Sequence, residues 1–307
     1  MGALPTVDTA HYRDQLPCVL CGSTRSTDMH RQDPFRIVRC DCGMVFTLPR
    51  LSPEALHELY QEEYWNSSSA KDYGYTDYVG DAELYRRTFR LRSQVLHRHV
   101  KPPARVLDVG CAAGFCLEVL KEQGYDVHGL DISAAMAREA AGRVGADRVH
   151  QGPLEPSIFG GQHFDAITMW DVVEHVEDPA ALLRTAREML NPGGVVILET
   201  QNVASRWARL LGIRWQHYKF QEHLYHFDPD TIVTLLDQAG MERVEWSPRR
   251  GGKYVSFRFI AERAGRIHPL VAFFLQPLKL LGERALYLNF FDEMLVVARP
   301  RPESHDG

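Results

Sequence analysis

From Arg105 to Thr200, short runs of apolar and β-branched residues alternate with stretches of helical period, and this restricts the chain to parallel-sheet architectures. RVLDV, DVHGL, DRVH, FDAITMW and GGVVILET read as strands. Helices are expected between them at Phe115 to Glu122, after the cap residue Ser133, and from Pro179 to Leu190. A polar, aromatic insert then runs from Gln201 to Phe227, and Asp228 with Pro229 forms an N-cap and first-turn pair. RVEWS, a YVSFRF run, a long helical region and a last strand at EMLVVARP complete the pattern. With 307 residues, 45% of them hydrophobic, the chain has enough apolar surface for one large core and a small accessory module.

The tightest turn is VLDVGCAAG, where an apolar strand meets small residues and then a helix. Gly110 and Gly114 would let the backbone approach a nucleotide closely. Asp131, in HGLDIS, ends the second strand, where a carboxylate can accept both hydroxyls of a ribose or cap the helix after Ser133. These residues resemble the first two signatures of the class I S-adenosylmethionine-dependent methyltransferases: Asp108, Gly110 and Gly114 match the acidic residue and glycine-rich turn, Ala112 stands where glycine is commonest, and Asp131 matches the second acidic position. WDVVEHVEDP followed by LNPGG separates this pattern from NADP-type Rossmann proteins. The resemblance implies an α/β, Rossmann-like seven-stranded sheet with its last strand antiparallel, and S-adenosylmethionine as methyl donor. It also implies that Leu154, in the QGPLEP loop, frames the adenine and that Trp170 and Asp171 complete the donor site.

Methyl transfer from a sulfonium is an in-line displacement that needs alignment and, for a hydroxyl or carbon acid, removal of a proton. Asp171, Glu174 and His175 resemble the acidic-x-x-Glu-His motif of ubiquinone-biosynthesis O-methyltransferases and small-RNA 2'-O-methyltransferases, which implies magnesium at these three residues. Asp171 replaces the more usual Glu, and a packing or cofactor-orienting role is the alternative. QHYKFQEHLYHFDPD resembles the Tyr-x-Glu-His segment of zinc-containing deoxysugar C-methyltransferases, with Phe220 in place of Tyr. On that resemblance His223 is the expected proton acceptor, Glu222 orients or charges it, His175 is the rival, and His226 and His217 are weaker rivals that resemble no catalytic position. Tyr73, Tyr75 and Tyr78 would fold over donor and acceptor.

Four of the six cysteines form two close pairs, Cys18 with Cys21 and Cys40 with Cys42. In a chain expected to remain reduced, they suit a closed, structural zinc site, with His30 as an alternative fourth ligand. The expected organisation is a zinc-binding module over 1–50, a helical Tyr-rich lid or linker over 51–100, the methyltransferase domain over 101–300 and a flexible tail over 301–307. The N-terminus has no export signal, and the apolar stretch Leu270 to Leu281 is too short for a transmembrane segment, so a cytoplasmic protein with a buried or amphipathic late helix is expected.

A formal charge of -5 supplies no broad basic surface and disfavours nucleic acid as a partner. The module, linker and sheet together resemble bacterial methyltransferases of polysaccharide, sugar-nucleotide and natural-product pathways. That implies a small-molecule acceptor, with O-methylation of a sugar or secondary-metabolite hydroxyl leading. C-methylation of a keto-sugar nucleotide is the alternative, followed by an RNA methyltransferase or a noncatalytic donor-binding protein. The oligomeric state is not legible.

Overall fold

The computed structural model describes residues 12–52, 81–261, 269–282 and 284–302. Its N-terminal part forms β1 (Tyr12–Arg13), β2 (Ser26–Gln32), β3 (Phe35–Cys40), β4 (Val45–Leu48) and β5 (Arg50–Leu51). α1 (Ala82–His99) leads to β6 (Arg105–Val109), α2 (Phe115–Glu122), β7 (Asp126–Asp131), α3 (Ala134–Val144) and β8 (Val149–Gln151). β9 (Phe164–Trp170), α4 (Pro179–Glu188), β10 (Leu190–Gln201), α5 (Arg206–Leu211), β11 (Tyr225–His226) and α6 (Pro229–Gln238) follow. The remaining elements are β12 (Met241–Ser247), β13 (Lys253–Ser256), α7 (Pro269–Leu275), β14 (Ala285–Leu288) and β15 (Glu293–Pro300).

Seven strands form the main sheet in the order β12-β15-β10-β9-β6-β7-β8. The pairs from β10 to β8 are parallel, while β15 runs antiparallel to both β10 and β12. This is the expected Rossmann-like sheet. Along its central strands successive side chains face opposite layers: Ile167, Met169, Val196 and Leu198 join one core, and Ala166, Val195 and Ile197 the other. The crossover helices start where their caps stand. Ser133 accepts the Met136 N–H, Asp178 that of Ala181, and Asp228 forms a capping box with Thr231.

Two late elements differ from expectation. The YVSFRF run is only partly a strand, because β13 ends at Ser256 and its hydroxyl accepts the Phe259 N–H, turning the chain into helix. β13 pairs with β14 in a separate hairpin outside the main sheet. In the stretch read as a buried or amphipathic helix, α7 is followed by a 3-10 turn, and Leu270, Phe273, Phe274 and Leu280 are exposed. Among the described residues, no helix is long and apolar enough to cross a membrane.

The cysteine-rich segment shares its framework with the rest of the chain. Its sheet has the order β11-β4-β3-β2, so β11 of the late insert pairs antiparallel with β4, Tyr225 opposite Phe46 and His226 opposite Val45. Cys18, Leu20, Val38, Phe46 and Leu48 lie in the same apolar cluster as Ile167, Leu198 and Leu235. A segment too small for a core of its own thereby gains one, and it brings β4 against the edge where β9 and β10 end.

Candidate active site

The turn after β6 is built for close approach. Gly110 has φ +71°, and a Cβ there would come within 2.8 Å of Val172 Cγ2. Gly114 has φ +81°, and a Cβ would meet the Cα and Cβ of Ala140 on α3 at 2.9 Å. Both positions exclude larger residues on conformational and steric grounds. Asp108 is buried beneath the turn and accepts the Thr168 hydroxyl at 2.5 Å; burial raises its carboxyl to about 7. Asp131 accepts backbone N–H groups at both oxygens, from Ala112 at Oδ2 and Ser133 at Oδ1, each at 2.8 Å. Leu154 is half-buried in the loop after β8, and Trp170 ends β9 beneath the Arg92 guanidinium, 5.2 Å from its ring centroid.

Asp171 follows with φ +54° and donates its N–H to the Glu199 carbonyl at 3.1 Å. The residue is solvent-exposed, yet protein closely surrounds its carboxyl. Burial alone would raise its carboxyl, but the charges of Lys253, Arg92, His217 and Lys219 outweigh it and hold the group below the usual range.

Glu174 is fully buried and accepts the Thr200 hydroxyl at 3.0 Å. Burial, reinforced by Asp171, pushes its carboxyl well above the usual range. The His175 and His223 rings meet edge-on with centroids 4.6 Å apart. Burial, with Lys219 nearby, lowers His175 to about 4, and burial beside His175 and Lys219 takes His223 well below 6.5. One donor atom from each of Glu174, His175 and His223 lies within 4.8 Å of the others.

That grouping differs from the expected magnesium set of Asp171, Glu174 and His175: His223 joins Glu174 and His175, Asp171 stands outside the group, and nothing in it supports magnesium in particular. The expected partnership of Glu222 with His223 also differs: Glu222 pairs with Lys219 Nζ at 3.2 Å, so its charge is engaged with a cation rather than with the neighbouring ring. The N-terminal module closes this side of the site. Thr47 of β4 donates to the His223 carbonyl at 2.9 Å and lies 3.2 Å from His226 Nε2.

Three groups on this edge carried no clear sequence signal. Arg92 of α1 forms a buried ion pair with Glu199 of β10, residues far apart in the chain. Burial opposes the Arg92 charge, but Glu199, Asp171 and Glu293 outweigh it and keep the guanidinium ionised. His217 Nε2 lies between Asp292 Oδ2 at 3.5 Å and Glu293 Oε1 at 3.4 Å, and Lys253 Nζ reaches Glu293 Oε1 at 3.0 Å. Of these groups only His217 lies in the insert whose density of His, Tyr and Glu drew attention. Tyr73, Tyr75 and Tyr78 lie outside the described residues.

The sulfurs of Cys18, Cys21, Cys40 and Cys42 all lie within 4.8 Å of one another, with Cys18 3.5 Å from Cys42 and Cys21 3.4 Å from Cys40. His30 is not part of this set; its ring packs edge-on against Tyr218. Cys111 and Cys116 are buried near the donor turn.

Comparisons with known proteins find methyltransferases. The chain is 30% identical over 151 residues to a ubiquinone biosynthesis O-methyltransferase from Dinoroseobacter shibae, covering 46% of this chain and 61% of that protein. It is 38% identical over 165 residues to the enzyme of the same name from Azorhizobium caulinodans, covering 48% and 64%. The chain thus spans less than two thirds of these relatives' length. A solved magnesium protoporphyrin IX methyltransferase from Synechocystis, with S-adenosylhomocysteine bound, aligns with a TM-score of 0.48 at 17% identity, covering 78% of this chain and 97% of that one. The family described as "Methyltransferase domain" matches residues 81–245, across the glycine-rich turn, the acidic-histidine segment and the parallel strands β6 to β10, and the chain belongs to that family.

Proposed function

We propose that this protein transfers the methyl group of S-adenosylmethionine to a hydroxyl of a small-molecule acceptor. The carrying observation is convergence: the Gly110–Gly114 turn, Asp131 and the Asp171–His175 segment stand at the C-terminal edge of one parallel sheet, where open α/β sheets bind ligands. S-adenosylmethionine supplies an electrophilic methyl carbon. The glycines admit the nucleoside, Asp131 has lone pairs left for ribose hydroxyls after holding two amides, and Leu154 and Trp170 offer apolar surface to the donor. Support for oxygen as the acceptor atom comes from the relatives' names. A sugar or secondary-metabolite hydroxyl is the acceptor class we favour, since the hydrogen-bonding groups of His217, Lys253 and Glu293 stand at this edge of the sheet. No step is assigned to magnesium.

We also infer that Cys18, Cys21, Cys40 and Cys42 hold a structural zinc ion. Tetrahedral Zn–S bonds of about 2.3 Å put sulfurs about 3.8 Å apart, close to the spacing found. Backbone amides already aim at the sulfurs, those of Cys21 and Leu20 at Cys18, Ser23 at Cys21 and Met44 at Cys42. Burial raises the Cys18 and Cys42 thiols and these amides oppose it, while at Cys21 the amide prevails and lowers the thiol; a bound cation would complete the shift to the thiolates that metal binding requires.

The test is incubation with S-adenosylmethionine carrying a carbon-13 methyl group and a bacterial small-metabolite extract, followed by carbon NMR. The expected product has its label in a methoxy position. Label on carbon would support the C-methylation alternative instead, and donor binding without any labelled product would overturn the catalytic reading.

A further inference from the structure

His217 occupies a place unlike that of the other histidines at this edge. His175, His223 and His226 are pressed together, and burial drives all three down, so a proton on any of them would sit in the interior near other cationic groups. His217 instead faces two carboxylates through Nε2, while its Nδ1 has no hydrogen-bond partner among the described residues. The charged and titratable groups around it are Asp292, Glu293, Asp171, Lys253 behind Glu293, and the rings of His223 and His226.

The carboxylate behind His217 is held from several sides. Trp215 Nε1 and Gln216 Nε2 donate to Asp292 Oδ2 at 2.9 and 2.6 Å, and the Asp292 carbonyl accepts the Asn202 N–H at 2.7 Å. Asp292 immediately precedes β15, whose Glu293 pairs with Gln201 at the end of β10. The residue before it, Phe291, has φ +58°, and its N–H donates to Asn289 Oδ1 at 2.7 Å. Among the described residues the non-glycine positions with positive φ are Ala112, Asp171 and Phe291. They follow β6, follow β9 and precede β15, all at the ligand edge. Such conformations cost roughly 1–2 kcal/mol and concentrate at functional sites.

We infer that His217, held by Asp292 and Glu293, is the general base that takes the proton from the acceptor hydroxyl. The assignment rests on the methyl-transfer reading above and moves the base from His223 to His217. With Nε2 turned toward the two carboxylates at 3.4–3.5 Å, Nδ1 is left to accept. It takes the hydroxyl proton as an oxygen lone pair bonds to the methyl carbon, and the electron pair of the breaking carbon–sulfur bond stays on sulfur. The products are a methyl ether, a neutral thioether and an imidazolium, whose charge the two carboxylates meet.

Two phenolic probes test this with tritium-labelled methyl donor: protocatechuate, whose hydroxyls are protonated at neutral pH, and nitrocatechol, which is already largely ionised. His217→Gln should methylate protocatechuate roughly 10²- to 10⁴-fold more slowly, the usual range for a lost base, and keep nitrocatechol turnover within about tenfold. His223→Gln should slow both probes alike. Donor affinity by calorimetry controls for folding. Equal loss of both probes in His217→Gln at unchanged donor affinity, or selective loss in His223→Gln, would overturn the assignment. If wild-type protein methylates neither probe, phenolic O-methylation falls and a second arm decides the case for His217. Nitrogen-15 NMR of the His217 ring, assigned by His217→Gln, should then show the neutral tautomer with its proton on Nε2 and a bare Nδ1, and a proton on Nδ1 at neutral pH would overturn the assignment.

Discussion

The backbone N–H of Ala112 donates to Asp131 Oδ2 at 2.8 Å, tying the turn after β6 to the end of β7. Asp131 thus shapes the glycine-rich turn, and we propose that it also meets the ribose of the donor. Asp131→Ala should weaken S-adenosylmethionine binding by roughly 1.5–3 kcal/mol, the range for charge-assisted hydrogen bonds. Calorimetry reads this directly, and unchanged affinity in a folded variant would remove Asp131 from the site.

The cysteine cluster reaches the active site through β4, which pairs with β11 and places Thr47 on the His223 carbonyl. Protein purified without chelator should carry about one zinc per chain, as a single four-thiolate site requires. Cys18→Ser should therefore lower methyl transfer as well as Tm, and the Tm loss should be at least about 5 °C, given roughly 2–4 °C per kcal/mol for a chain of this size. Elemental analysis and a thermal melt check both parts; zinc-free protein with full stability would defeat the claim.

The Arg92–Glu199 pair joins α1 to β10 inside the protein. Arg92→Met removes one partner and strands a buried carboxylate, so unfolding free energy should fall by roughly 3–5 kcal/mol. Adding Glu199→Gln should restore part of it. Urea denaturation of the single and double variants measures the coupling, and additive losses would mean that the pair does not act as a unit.

His226 is fully buried, and burial together with His217 and Arg50 lowers it to about 3, below the ordinary unfolded value of 6.5. Its contribution to stability is present above pH 6.5 and is lost as pH falls toward 3, because the unfolded chain binds the proton first. The stability difference between wild type and His226→Gln should shift in favour of the variant by roughly 2–3 kcal/mol between pH 7 and 4.5, at about 1.4 kcal/mol per pH unit. Parallel curves over that range would show that His226 does not remain neutral in the fold.

Much of the donor side was legible locally, since a strand, a turn and a helix are specified by neighbouring residues. Arg105–Val109 and Phe115–Glu122 lie where their residue pattern puts them, with Gly110 and Gly114 in the positive-φ conformations expected of a close-approach turn. Ala112, which replaces the commoner glycine, also takes positive φ, at +45°. The parallel order of the central strands followed from their continuous apolar runs and the helices between them.

The acceptor side depended on contacts that residue spacing does not encode. His217 meets Asp292, Arg92 meets Glu199, and Thr47 meets His223 across long sequence separations, while Glu222 turns from the adjacent His223 to Lys219. A local motif specifies which groups are available and on which strand end they stand. Which carboxylate serves which imidazole is decided only when β15, β10 and β4 bring them together in the interior, where burial sets each group's charge.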